Sequence, residues 1–278
     1  MPLSHAQVEK FCFASERLMR PDLGLDNYAE RSFEFIDTLL SSEFVIFGTL
    51  DPRTQVLEIS VNKEITGWTR AITAYGHLMA DYKLWDWDHT VNDGKPFTRS
   101  DFFSNRQFRD TSMFSEVYGP LGIDDHCAVH VPGVSGEIPF FGVERQGGTD
   151  YTTDERDLLR LAQSLLGNAR SIAKARDNLS IASAKAAALC RAGLTPREAD
   201  VLYLVSEGKS NEEIAIILGI EVYTVKDHVK SVYRKTGCSN RLSAALWALQ
   251  TTRLDETRAL KRHLSVAAVN VTAWAGQS

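Results

Sequence analysis

Apolar residues near the N-terminus recur at helical spacing. Val8, Phe11, Cys12, Ser15 and Met19 predict a first helix over roughly Ser4–Met19. Pro21 and Gly24 interrupt the pattern. Asp26 is then placed to cap a second helix through Leu40, carrying Phe33, Ile36, Leu39 and Leu40. The period changes to that of strands at Phe44–Leu50 and Val56–Val61. The Asp51-Pro52-Arg53-Thr54 turn between them makes a hairpin. Helical spacing returns over Glu64–Trp87, with Trp68, Ile72, Tyr75, Leu78, Met79 and Tyr82 on it. Asn92–Pro96 reads as a loop, and Asn105–Val117 as a further helix ended by Gly119-Pro120. His126–Val131 and Ile138–Glu144 are the last strands expected, separated by Pro132-Gly133 and Gly136.

Helices, then antiparallel strands interrupted by helices, then a closing helix describe a sheet covered on both faces. The expected fold is α/β, a GAF- or PAS-like α/β/α sandwich with an antiparallel sheet and a pocket between sheet and helices. The texture changes at Thr152, which with Glu155 has capping-box spacing. Leu158, Leu161, Leu165, Ile172 and Leu179 follow near a seven-residue recurrence, and Ala-rich sequence runs on to Ala192. This is either a helix that closes the first domain and forms part of a dimer seam, or a lone closing helix followed by a linker. Gly167 is its weak point, since glycine costs about 1 kcal/mol relative to alanine within a helix.

Three short helices then follow closely. Thr195-Pro196-Arg197-Glu198 combines a capping threonine, a first-turn proline and a capping-box glutamate. Leu194, Val201, Leu202 and Val205 form its buried side, and Gly208 ends it. Ser210 to Glu213 repeats the capping box, Ile214, Ala215, Ile217 and Leu218 make an apolar stripe, and Gly219 stops it. In Val222–Thr236, Val222, Val225, Val229, Val232 and Thr236 share one stripe. Tyr223, Lys226, Asp227, Lys230 and Arg234 occupy the opposite one. A glycine turn between two such helices makes a helix-turn-helix. A last helix over about Arg241–Thr252 carries Leu242, Ala245, Leu246 and Leu249 on one side. The expected organisation is a regulatory domain over 1–177, a linker over 178–193, an all-α four-helix domain over 194–253 and a tail over 254–278.

Composition narrows the function. The chain has 278 residues, 44% hydrophobic and 24% charged, with a formal net charge of −5. An acidic chain does not coat nucleic acid or anionic membrane wholesale, so any nucleic-acid contact is local. Within Glu221–Arg241 the balance reverses: Lys226, Lys230, Arg234, Lys235 and Arg241 face only Glu221 and Asp227. Cys12, Cys127, Cys190 and Cys238 are widely spaced without C-x-x-C pairs, which suits reduced thiols better than a disulfide frame or zinc site. The start, MPLSHAQVEKF, lacks a signal-peptide design, and no apolar run approaches the length of about 20 residues that spans a bilayer. A cytoplasmic protein with no membrane partner is expected. No nucleophile elbow, P-loop or zinc-protease motif is present, so no enzymatic activity and no cofactor are expected.

The segment LTPREADVLYLVSEGKSNEEIAIILGIEVYTVKDHVKSVYRKTGCSNR resembles the DNA-binding domain of the LuxR family, the four-helix module shared with NarL- and FixJ-type regulators and GerE. The resemblance rests on Leu194-Thr195-Pro196-Arg197-Glu198, Val201-Leu202, Gly208, Asn211, Glu213-Ile214-Ala215, Leu218-Gly219-Ile220, Thr224-Val225-Lys226, His228, Tyr233-Arg234-Lys235 and Arg241. It covers about the last quarter of the chain and is far more specific than a bare helix-turn-helix. It implies a scaffold helix at Ile214–Leu218 and a recognition helix at Val222–Thr236 in the major groove. Lys226, Asp227 and Lys230 would then meet base edges or flanking phosphates, while Thr224, Arg234 and Lys235 anchor the backbone. The last helix would pair two copies on an inverted-repeat operator, with half-sites about one turn, 10–10.5 bp, apart.

Two positions depart from the family. Glu221 stands where a serine or threonine is usual and is a poorer N-cap, although its charge suits the helix dipole. Asp227 replaces an apolar residue in the reading face and can accept from cytosine N4.

Some family members bind acyl-homoserine lactones through a Trp, Tyr, Asp-Pro and second Trp signature. Here Trp68 and Asp81 keep the expected separation, but Ile72 takes the tyrosine position and Tyr82 the proline position. Trp68, Tyr75, Asp81, Tyr82 and Trp85 are the candidate ligand contacts. The Trp85-Asp86-Trp87-Asp88-His89 run reads as an aromatic cluster, and His126 and His130 as too far apart along a strand to share a metal. The leading expectation is a dimeric, sequence-specific, ligand-modulated transcription regulator. The alternative is a ligand-independent regulator whose first domain binds a protein partner.

Overall fold

The computed structural model describes residues 4–51, 53–54, 56–79, 82, 95–132, 136–259 and 267–270. The chain divides into two compact units, residues 1–174 with 265–278, and residues 175–264.

In the first unit α1 (His5–Leu18) starts on a capping box, Ser4 accepting from the Gln7 N–H while the Gln7 side chain accepts from the Ser4 N–H. Helix α2 (Leu25–Leu39) begins two residues earlier than Asp26 would set. Asp26 is not its cap: Gly24 takes that position, and its N–H donates to Asn27 Oδ1 at 3.0 Å. The hairpin β1 (Phe44–Asp51) and β2 (Val56–Val61) follows, its turn fastened by the Arg53 N–H donating to Asp51 Oδ1. Then come α3 (Trp68–Leu78), the two-residue β3 (Phe97–Thr98) and α4 (Asn105–Arg109).

The helix expected over Asn105–Val117 is broken. Thr111 Oγ1 accepts the Phe114 N–H at 3.0 Å and restarts the chain as a wider, π-type turn over Phe114–Tyr118. A 3-10 turn over Gly119–Leu121 follows. Strands β4 (Asp125–His130) and β5 (Ile138–Arg145) complete the sequence-expected sheet.

The sheet is antiparallel, in the order β3-β4-β5-β1-β2, with β6 (Ala267–Asn270) added beside β2. Residues 267–270 fall in the stretch expected as the C-terminal tail, 254–278, and form an edge strand. Both faces of the sheet are covered, as the α/β/α expectation requires. One face buries Val45, Phe141, Val143, Cys127 and Val129 against residues of α1, α2 and α5 (Thr153–Arg191). The other buries Phe44, Ile59, Phe97 and Phe140 against Ala71, Ile72 and Phe108. Strand alternation accounts for the division: Val45 looks one way, while Phe44 and Ile46 look the other.

Helix α5 buries Leu158, Leu159, Ala162, Leu166, Ala169 and Ala173 on the first face, while Leu161 and Leu179 of the seven-residue recurrence are exposed. It is uninterrupted at Gly167. A β-carbon there would lie 2.8 Å from Pro132 Cδ, so the glycine lets the helix lie close against the chain just past β4. The stretch expected as a linker, 178–193, continues α5 as helix as far as Arg191.

The second unit contains α6 (Pro196–Ser206), α7 (Asn211–Leu218), α8 (Val222–Thr236) and α9 (Arg241–Ala259) around one small core. Leu194, Val201, Leu202 and Val205 are buried, as are Ile214, Ala215, Val225 and Val232. Ile217 departs from the expected stripe and is 53% exposed, beside the still more exposed Ile216. In α9 the buried side is Ala244, Ala248 and Thr252; Leu242, Leu246 and Leu249 face outward. All four cysteines are free thiols. Among the described residues no helix is long and apolar enough to cross a membrane.

Candidate nucleic-acid interface and ligand cavity

The two-faced helix α8 is held by its partners in three ways. Gly219, at φ 62, ends α7 in the left-handed conformation that glycine adopts without strain, which makes the tight turn into α8. Arg197 Nη2 donates to the Leu218 carbonyl at 2.7 Å and satisfies a free carbonyl at that helix end. Glu198 then ties α6 to α8. Its carboxylate accepts from the Thr195 N–H at 2.8 Å, the Ser231 hydroxyl at 2.7 Å and Lys235 Nζ at 2.6 Å. Burial pushes this carboxyl up, but Lys235, the Thr195 N–H and Ser231 outweigh it and bring the group down to about 2.

The exposed side of α8 therefore presents Tyr223, Lys226, Asp227, Lys230 and Arg234, with Thr224 half-buried beside them. Lys230 Nζ lies 3.4 Å from Asp227 Oδ1, and Arg234 Nη2 donates to Ser231 Oγ at 3.2 Å. Both partners of the Lys230–Asp227 pair are solvated, so the pair contributes little stability and leaves Lys230 available. Lys235 and Arg241 are engaged within the domain: Lys235 on Glu198, Arg241 on the Lys209 carbonyl and Asn211 Oδ1. Of the five cations counted in this segment, Lys226, Lys230 and Arg234 form the outward set. Glu221 precedes α8 in an extended conformation and makes no side-chain cap, so the first N–H groups of α8 are left to solvent or to an anion.

In the first unit, the face of the sheet opposite α1 and α2 closes over a cavity. Trp68, Tyr75 and Tyr82 line it, together with Phe44, Tyr118, His126, His130, Gly142 and Glu144. Two further candidate contacts, Asp81 and Trp85, and the Asp86–His89 run lie outside the described residues. The cavity leaves about 50 Å³ for the centres of water molecules, several times the roughly 10–15 Å³ one water takes on that measure.

Its polar floor was missed from sequence. His126 stacks on Tyr118 with ring centroids 4.6 Å apart, and its Nε2 lies 3.3 Å from Tyr82 Oη. Burial, and then the Arg99 guanidinium, bring His126 down to about 3, and burial alone does the same to His130. Both imidazoles are neutral at pH 7. Arg99 itself is buried against Asp125, its Nε donating to Asp125 Oδ1 at 2.7 Å. Burial alone pushes the Glu144 carboxyl up to about 8. One signal was available: a glutamate at an inward position of a strand, Ile138–Arg145, that is covered on both faces.

A capped helix, a glycine turn and a second helix with one buried and one cationic face define the second unit as a helix-turn-helix module. Residues 192–248 match the family model of bacterial regulatory proteins, luxR family, and the module belongs to that family. Over 51 residues the chain is 53% identical to the transcriptional activator protein AhyR of Aeromonas hydrophila, covering 18% of this chain and 20% of the relative. Over 125 residues it is 36% identical to VjbR of Brucella ovis, described as a quorum sensing-dependent transcriptional regulator, covering 44% of each chain. The matches thus span between a fifth and under half of these relatives' lengths. Among solved structures the chain is similar to Escherichia coli SdiA, with a TM-score of 0.46 and 18% identity over 88% of this chain and 97% of that one.

Proposed function

We propose that the chain is a sequence-specific DNA-binding transcription regulator of the cytoplasm, active as a homodimer and modulated by a small effector in its first unit. The observation that carries this reading is α8. Val225 and Val232 are buried beneath it while Lys226, Asp227, Lys230 and Arg234 stand together in solvent, in a module of the luxR family. In the major groove Lys226 and Lys230 donate to guanine O6 and N7 or to phosphate, and Asp227 accepts from cytosine N4. Thr224, Arg234 and the uncapped N-terminus of α8 hold phosphates. Lys235 acts through Glu198, by holding α8 in place. The outward row Leu242, Leu246 and Leu249 of α9 offers a self-complementary apolar surface for a second copy, which calls for an inverted-repeat operator. The lined cavity supports the effector, and the description of VjbR as quorum sensing-dependent agrees with it.

Selection from a randomised duplex library, followed by gel-shift titration, tests the reading. Lys226→Ala and Lys230→Ala are each expected to weaken binding to the selected duplex by about 1–3 kcal/mol, roughly 5- to 150-fold. Unchanged affinity in both variants would refute the assignment of α8.

A further inference from the structure

The cavity floor is built by one row of the sheet. Glu144 of β5 is registered against Phe44 of β1 on one side and His126 of β4 on the other. Its neighbours on the same face, Phe140 and Gly142, keep to the apolar or small residues that a strand buried on both faces carries. Glu144 breaks that rule while only 3% exposed, and its Oε2 has no hydrogen-bond partner among the described residues. Among the described residues no lysine or arginine lines the cavity, and the buried Arg99 is paired with Asp125. An unpartnered buried carboxyl is expensive once ionised and adds nothing to packing, which marks a candidate site.

Two features turn this cost into a site. Gly142 has no β-carbon, and one placed there would stand 2.9 Å from Glu144 Oε1, so the glycine keeps the approach to the carboxyl open. The remaining wall includes the rings of Trp68, Phe44, Tyr75 and Tyr118, whose negative π faces favour positive charge. The cavity thus offers acceptors, aromatic faces and a carboxyl that lacks a counter-charge.

We propose that this cavity takes a small organic cation, a protonated primary or secondary amine, whose N–H donates to Glu144 and whose carbon frame lies against Trp68, Phe44 and Tyr75. The proposal rests on the reading that the first unit holds a small effector, and it specifies the chemical class. The ammonium supplies the missing counter-charge, and Glu144 gives up its proton to solvent as the complex forms.

The test is calorimetric titration of the full chain at pH 7.5 with 2-phenylethylamine and cyclohexylamine. The uncharged partners 2-phenylethanol and cyclohexanol, and the neutral N-hexanoyl-homoserine lactone, are titrated alongside. Each amine is expected to bind at least about tenfold tighter than its alcohol, the lower end for a hydrogen bond between charged groups. Glu144→Gln keeps the shape and removes the charge, so it is expected to abolish that preference while leaving the alcohols unchanged. Amines that bind no better than alcohols, or a preference that survives Glu144→Gln, overturn the proposal. Binding of the lactone or alcohols without amine preference does so while sustaining the effector reading. Binding of none of the five probes overturns both, and the DNA titration of the second unit is decided separately.

Discussion

Glu144 is a carboxyl kept protonated by its surroundings, and that has a thermodynamic signature. Its pKa stands near 8 in the folded chain against an ordinary value of 4.5, so between those limits the folded state holds a proton that the unfolded state has released. Stability from this group is complete below pH 4.5 and falls as pH rises to 8. The groups coupled to it are Tyr82, Tyr118, Tyr151 and Cys127, all raised by burial and all neutral in that window. His126 is neutral above about pH 3. The stability of Glu144→Gln relative to the native chain should therefore grow by a few kcal/mol from pH 5 to pH 8 and level off above. Denaturant titrations at four pH values measure it, and a flat difference would contradict the burial of an unpartnered carboxyl. Lys235 and Lys226 make a second contrast among residues. Lys235→Ala leaves the buried Glu198 without its cation and should destabilise the chain by about 1–3 kcal/mol, while Lys226→Ala should stay within about 0.5 kcal/mol.

Among the elements, the helices that announce themselves locally were legible and those decided by distant contacts were not. Thr195–Glu198 and Ser210–Glu213 carry their caps within four residues, and both capping boxes form. Asp26 has the residue type of a cap, but Asn27 reaching back to Gly24 starts the helix two residues sooner. The break at Thr111 was written in the polar run Asp110-Thr111-Ser112, whose hydroxyl competes with the helix for a backbone N–H. Ile217 was misplaced because three consecutive apolar residues, Ile216 to Leu218, leave the helix phase open.

Gly167 shows the limit of local rules most directly. Alanine is the better helix former by about 1 kcal/mol, yet its β-carbon would meet Pro132 at 2.8 Å. Gly167→Ala is expected to destabilise by about 1–3 kcal/mol, seen as a lower thermal midpoint. The opposite sign is expected at Glu221, whose extended backbone suits a serine cap that the native side chain does not make. Glu221→Ser should raise stability by about 0.5–1 kcal/mol in the same measurement. The cavity floor was the least legible part, because His126 and Glu144 become neighbours only through strand register.

For the whole molecule, the proposed DNA binding of an acidic chain through a few outward cations should show a salt dependence set by those cations alone. With Lys226, Lys230 and Arg234 from each of two copies on phosphates, the slope of log affinity against log salt should be roughly −5. Gel-shift titrations between 50 and 200 mM salt, about a fourfold range, determine it. A slope near zero would remove the phosphate role of these residues.

The carboxylate of Glu198 has a consequence for how the second unit opens. It serves at once as the reciprocal half of a helix cap at Thr195 and as the clamp on Ser231 and Lys235. The start of α6 and the far end of α8 are thus one cooperative unit for local unfolding. Loosening the cap with Thr195→Ala should speed amide hydrogen exchange at residues 231–236, more than thirty positions away, before it affects α7. The stiffness of α8 would then be set in part from a threonine that lies outside that helix.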